Sequence, residues 1–125
     1  MIHGVGTDIV RVARMGEALA RHGARFAERI LDASERPAFE QARDPARLLS
    51  KRFAAKEAFG KALGTGVAAP ATLHAVRVAH DALGKPLFEF SPSLAAYMQE
   101  RGLVAHLSLS DETDYVVAFA VIEKP

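Results

Sequence analysis

The chain opens on alternation. "IHGVGTDIVRV" alternates apolar with small or polar residues and is rich in Val and Ile. It predicts a strand over residues 2–7, with close backbone approach where Gly4 and Gly6 fall. From Val12 the period lengthens: Met15, Leu19, His22, Phe26 and Ile30 recur every three or four residues, the stripe of an amphipathic helix. Gly23 interrupts that stripe, so the segment is either one helix or two pieces. Ser34 is expected to cap a short helix with Pro37 in its first turn. Asp44-Pro45 is a helix start, Asp at the N-cap and Pro at the first helical position; the helix runs to Leu63 and stops at Gly64. "HAVRVAH" and "PLFEF" read as strands around the turn "DALGK". "SPSLAAYMQERG" reads as a helix capped by Ser91 and ended by Gly102. "VAHLSLS" and "YVVAFAVIE" then form a hairpin around "DETD". No repeat or linker interrupts residues 1–125, which predicts a single α+β domain: an antiparallel β-sheet packed with helices.

The helix 45–63 carries an anomaly. On a wheel of 3.6 residues per turn, Leu48, Leu49, Phe53, Phe59 and Leu63 share one broad arc, and Arg52 and Lys56 fall inside it. Cations so placed must snorkel, face another subunit or meet an anion. Glu57 and Lys61 lie at the edge of the arc, spaced for an i,i+4 ion pair worth only ~0.2–0.5 kcal/mol. The segment ends in "GTG", where missing side chains let a ligand approach the backbone. Asp8 ends the first strand after two glycines. It is either an N-cap for the next helix or half of a carboxylate pair with Glu57. Such a pair suits magnesium, which takes one or two protein carboxylates together with waters and substrate phosphates.

Composition narrows the classes. Half of the 125 residues are hydrophobic, a quarter are charged, and the formal net charge is +1. That is a globular composition without the charge of a typical nucleic-acid binder. Cysteine is absent, which excludes disulfides, thiolate metal sites and a thiol nucleophile. No apolar run reaches a transmembrane length, and "MIHGVGTDIV" lacks the pattern of a secretory leader, so the expected location is cytoplasmic.

Four motifs occur in order: "GVGTDIV", "FAAKEAFGKALGTG", "GKP" at residues 84–86 and "HLSLSDE" at residues 106–112. Over almost its whole length the chain resembles the holo-(acyl-carrier-protein) synthases, the small trimeric family of 4′-phosphopantetheinyl transferases. The resemblance implies a 4′-phosphopantetheinyl transferase-like fold and transfer of phosphopantetheine from coenzyme A to a serine of apo acyl carrier protein, in fatty acid biosynthesis. Adenosine 3′,5′-bisphosphate is the other product. It further implies Mg2+ held by Asp8, Glu57 and the pyrophosphate of the co-substrate coenzyme A, with Lys61 on the phosphates. Catalysis would then lie mainly in positioning and charge neutralisation. Glu57, Asp8 or a magnesium-bound water would accept the serine proton, with Glu57 or its bound water ranked first. Two positions depart from the family pattern. Gly60 stands where many members carry a small polar residue, a mild difference, and Asp111 stands where many place histidine. Asp111 is expected to open the hairpin turn.

The same resemblance places coenzyme A along Gly64, Gly66, Lys85, Pro86 and His106, with Arg52 suited to a phosphate. His106 is either a contact of the adenosine 3′-phosphate or an ordinary strand histidine, and Pro86 either packs on adenine or closes a turn. Sites are expected between the subunits of a homotrimer, which would also make the Arg52–Lys56 face an interface. If the first helix is continuous, Arg14, Arg21 and Arg25 share one face. Acyl carrier proteins are acidic, and the family meets them with this helix; Arg14 is the best match and Met15 its apolar neighbour. A nucleic-acid-binding module is one rival reading, disfavoured by the charge. A non-catalytic coenzyme A or nucleotide sensor is another, with no use for a metal pair.

Overall fold

The computed structural model describes residues 1–125. Strand β1 (Ile2–Arg11) leads into helices α1 (Val12–His22) and α2 (Ala24–Ile30). A 3-10 turn (Ala33–Glu35), α3 (Arg36–Glu40) and the long α4 (Pro45–Leu63) follow. Strands β2 (Val76–His80) and β3 (Pro86–Phe90), α5 (Pro92–Glu100), β4 (Val104–Asp111) and β5 (Tyr115–Glu123) complete the chain.

The α+β expectation holds, with one revision. The strands form two antiparallel sheets, β1-β5-β4 and the separate hairpin β2-β3. The first strand is also longer than its sequence pattern indicated. Alternation past Thr7 is sustained by pairing with β5, where Asp8 stands opposite Ala118 and Ile9 opposite Val117.

Helix α4 is the hub. Asp44 caps it, its carboxylate accepting from the Arg47 amide at 3.1 Å, and Gly64 ends it at φ 93°. Its small residues Ala54, Ala55, Ala58 and Ala62 are buried. A Cβ on Gly4 would collide with the Ala62 carbonyl, and one on Gly6 with the Ala58 carbonyl. Absent side chains on the strand and methyl groups on the helix thus let α4 lie unusually close to β1. That proximity is what brings Asp8 to the side of the helix bearing Glu57 and Lys61.

The arginine-bearing segment divides at Gly23, whose φ of 64° is left-handed. Ser34 is not the cap of the next turn: Asp32 is, accepting from the Ser34 amide at 3.0 Å, while Glu35 accepts from the Asp32 amide at 3.0 Å. This capping box, spelled D-A-S-E, starts two residues earlier than the expected cap at Ser34.

Candidate active site

Asp8, Glu57, Arg14 and Met15 line one groove of about 510 Å³ between β1, α1 and α4, with Phe26 and Phe53 as apolar walls. Lys61 stands beside it. Its Nζ donates to the Thr7 carbonyl at 2.8 Å and lies 3.4 Å from Asp8 Oδ1. The i,i+4 pair of Glu57 with Lys61 is not formed; the lysine turns across to β1 instead. Asp8 does not cap α1 either, since Arg11 occupies that position.

Both carboxylates are electrostatically stressed. Burial pushes the Asp8 pKa above the ordinary carboxylate value, partly offset by Lys61. Glu57 is raised by burial and then by the charge of Asp8, again offset by Lys61. Two acids resisting ionisation, the second partly because of the charge on the first, with one cation against the first and no third acidic or imidazole ligand, compose an incomplete cage. That donor set fits a hard divalent ion that draws its other ligands from water and phosphate.

The other predicted residues divide. Gly64 and Gly66, with φ of 93° and 66°, form the turn directly after the helix that carries Lys61. Gly66 folds back so closely that a Cβ on Gly60 would sit 2.6 Å from its carbonyl carbon. The glycine at position 60 is therefore a packing requirement of this loop and not a mild difference. Lys85 and Pro86 close the β2-β3 turn, where the Lys85 amide donates to Asp81 Oδ1 at 2.9 Å. His106 lies exposed on β4, its Nε2 3.7 Å from Glu123 Oε1. None of these three borders the Asp8–Glu57 groove. Arg21 and Arg25 border a neighbouring concavity instead, Arg21 two turns further along α1 from Arg14 and Arg25 beyond the break at Gly23; Phe26 borders both.

Arg52 and Lys56 are corrected outright: they meet an anion inside the chain. Lys56 is fully buried and its three donors go to Glu35 Oε1 at 2.6 Å, the Ile30 carbonyl at 2.8 Å and the Leu73 carbonyl at 2.6 Å. Arg52 Nη1 donates to Glu35 Oε2 at 3.1 Å and to the Val78 carbonyl at 2.8 Å. Both are buried within the chain, so the arc they share is a core face, and Arg52 Nη1 is committed to Glu35. Asp111 does more than open a turn. It accepts from Arg47 at 2.5 Å and lies 2.8 Å from Lys51 Nζ, so it ties the hairpin to the start of α4, and these cations hold its pKa low.

A family model described as the 4′-phosphopantetheinyl transferase superfamily matches residues 4–120. The chain belongs to this superfamily. Among relatives of this transferase, it is 71% identical over 123 residues to the holo-[acyl-carrier-protein] synthase of Azoarcus sp. (strain BH72), covering 98% of each chain. It is 70% identical over 124 residues to that of Aromatoleum aromaticum, covering 99% of each. Among solved transferase structures, the Neisseria meningitidis holo-[acyl-carrier-protein] synthase superposes with a TM-score of 0.95 at 47% identity, over 99% of this chain and 100% of that one. The Bacillus anthracis str. Ames enzyme, solved in complex with CoA (3′,5′-ADP), gives a TM-score of 0.83 at 32% identity, covering 100% of this chain and 99% of that one.

Glu35 is what the sequence reading missed. Part of its signal was available: Asp32 followed three residues later by Glu35 is a capping box, in which the Glu reaches back to the N-cap amide, but its buried cation partners are set by the fold.

Proposed function

We propose that this transferase moves 4′-phosphopantetheine from coenzyme A to a serine hydroxyl of an apo acyl carrier protein, releasing adenosine 3′,5′-bisphosphate. The observation that carries the reading is the Asp8–Glu57–Lys61 arrangement at a groove with Arg14 on its rim. Relatives named for this activity, and one solved with the coenzyme's nucleotide, support it.

Asp8 and Glu57 would hold Mg2+, which when bound neutralises charge on the pyrophosphate. Lys61 adds a flexible cation that can leave Asp8 for the phosphate leaving group, stabilising charge as it develops. Glu57, with its raised pKa, is suited to take the serine proton. Full rescue of Glu57→Gln by high magnesium would remove that proton role. Gly64 and Gly66 offer exposed backbone for the coenzyme one turn beyond Lys61. Arg52 leaves the coenzyme set, since Glu35 is its partner.

An exposed apolar face supports a reading of the assembly. Val5 and Ile9 on β1 and Phe119 on β5 are 50%, 62% and 42% exposed on the outer side of the three-stranded sheet. Such a patch asks for cover. We infer a homotrimer that buries it, letting a neighbour supply the Lys85, Pro86 and His106 surface that one chain holds away from its own groove. Light scattering at three chain masses checks this; a monomer at working concentration contradicts it. The setting is cytoplasmic fatty acid biosynthesis, and no helix is long and apolar enough to cross a membrane.

The test is release of adenosine 3′,5′-bisphosphate from coenzyme A in the presence of magnesium and apo carrier. Release with wild-type carrier and none with a Ser→Ala carrier is expected. Equal release without the serine would make the reaction hydrolysis.

A further inference from the structure

Helix α4 carries three i,i+4 pairs with three different surroundings. Ala58 and Ala62 lie against Gly6 and Gly4 of β1. Glu57 borders the active groove, and Lys61 beside it reaches the Thr7 carbonyl of β1. Arg52 and Lys56 are buried. At about 100° per residue the three pairs stand roughly 100–140° apart, so each takes one side of the helix.

These sides constrain α4 differently. Glycine against alanine presents no ridge to enter a groove, so it sets how near the helix lies to β1 and only weakly how far it is turned about its axis. On the groove side, the one tie to β1 is the loose reach of Lys61. The cation side is directional. Lys56 Nζ donates to the Ile30 carbonyl at 2.8 Å, to Glu35 Oε1 at 2.6 Å and to the Leu73 carbonyl at 2.6 Å. An ammonium has three donors, and all three are taken. Their acceptors belong to the last residue of α2, the 3-10 turn and the segment before β2, so a turned α4 would break at least one of them. Phe59 packs nearby on Phe88 and Phe90, but apolar burial is non-directional. Ile30 also ends the helix whose Phe26 borders the groove, so one ammonium ties two of the groove's walls together.

A small turn has a large effect at the site. With side-chain tips about 5–6 Å from the axis, a rotation of about 20° carries a carboxylate about 2 Å. A misplacement of about 1 Å at a reacting group is enough to cost about 10²-fold in rate. Buried ions are costly to desolvate beside apolar residues of the same volume; what this cluster supplies in exchange is direction.

We propose that Lys56 is a positioning residue of the transferase. Next to Glu57 in sequence but buried on another side of α4, it fixes the rotation of the helix through Ile30, Glu35 and Leu73, so that Glu57 and Lys61 are aimed at Asp8. Its effect on rate rests on the transferase reading above; its effect on the helix does not.

Lys56→Met is the variant of choice, because Arg52 and Glu35 remain as a charge-matched pair. Its crystal structure and its kinetics, taken where circular dichroism shows the chain folded, test the role together. The contact of 2.8 Å between Lys61 Nζ and the Thr7 carbonyl is expected to open. In the folded variant kcat should fall about 10²-fold while the KM for coenzyme A changes less than about twofold, the signature of a loss felt in the transition state. A merely structural role would lower the melting temperature and leave the kcat of the folded molecule unmoved. Lys56→Gln keeps two donors on a shorter side chain and supplies the same readouts, with a smaller loss, should the methionine variant fail to fold. An intact Lys61–Thr7 contact, or an unchanged kcat in the folded variant, overturns the role. If the wild-type chain transfers no phosphopantetheine, the transferase reading falls, and the Lys61–Thr7 contact in the variant alone decides whether Lys56 sets the helix.

Discussion

Lys61 Nζ donates to the Thr7 carbonyl at 2.8 Å and sits 3.4 Å from Asp8 Oδ1, reaching across from helix to strand instead of along its own helix to Glu57. The contact is loose and its side chain is half exposed. A cation so held contributes little to stability and is free to swing to a phosphate. Lys61→Met is expected to lower kcat about 10²-fold, the scale of losing one aligned donor to developing charge. Its melting temperature should barely move. Steady-state kinetics beside a thermal melt separates the two effects, and unchanged kcat would remove Lys61 from the chemistry.

Asp8 and Glu57 give a pH prediction whose sign follows from their raised folded pKa values. A group raised above its unfolded value binds more protons in the native state. Its stabilising contribution is full below the unfolded values of 3.8 and 4.5 and is lost as pH climbs through the raised folded values. Metal-free Asp8→Asn should therefore be more stable than wild type at pH 7, and this advantage should vanish toward pH 4. Denaturant unfolding across that range checks it; an Asn variant less stable at pH 7 would show that Lys61 outweighs burial.

Glu35 holds two buried cations and two backbone amides, those of Asp32 and Val78. Its removal leaves Lys56 and Arg52 uncompensated. Glu35→Ala should cost about 3–5 kcal/mol, the usual penalty for breaking a buried pair by deleting one partner. Chemical denaturation measures it. A loss below ~1 kcal/mol, the scale of an exposed pair, would mean the cluster is solvated.

Arg14 borders the same groove as Asp8 and Glu57, whereas Arg21 and Arg25 do not. Arg14→Glu should raise the carrier KM and leave coenzyme A affinity nearly unchanged, with the defect shrinking as salt rises. Carrier kinetics at low salt decide the matter, unaltered values counting against this docking face.

Periodicity and capping made most of the fold legible. Asp44-Pro45, Gly64 and Ser91-Pro92 mark helix ends through local chemistry that tertiary contacts do not override. The extension of β1 to Arg11 was hidden because pairing with β5, not its own alternation, sustains it. At the site, Asp8 and Glu57 were readable as chemistry, yet their meeting depends on Gly4 and Gly6 letting α4 approach β1. The cations of the apolar arc could not be resolved from the helix alone. Their partner, Glu35, lies 17 and 21 residues away in sequence, and only folding joins them.

The most direct test is the intact mass of an apo acyl carrier protein after incubation with this chain, coenzyme A and magnesium. A gain equal to one phosphopantetheine group, absent when Asp8 and Glu57 are replaced by Asn and Gln, is the predicted result. An unchanged mass with several apo carriers would contradict the account.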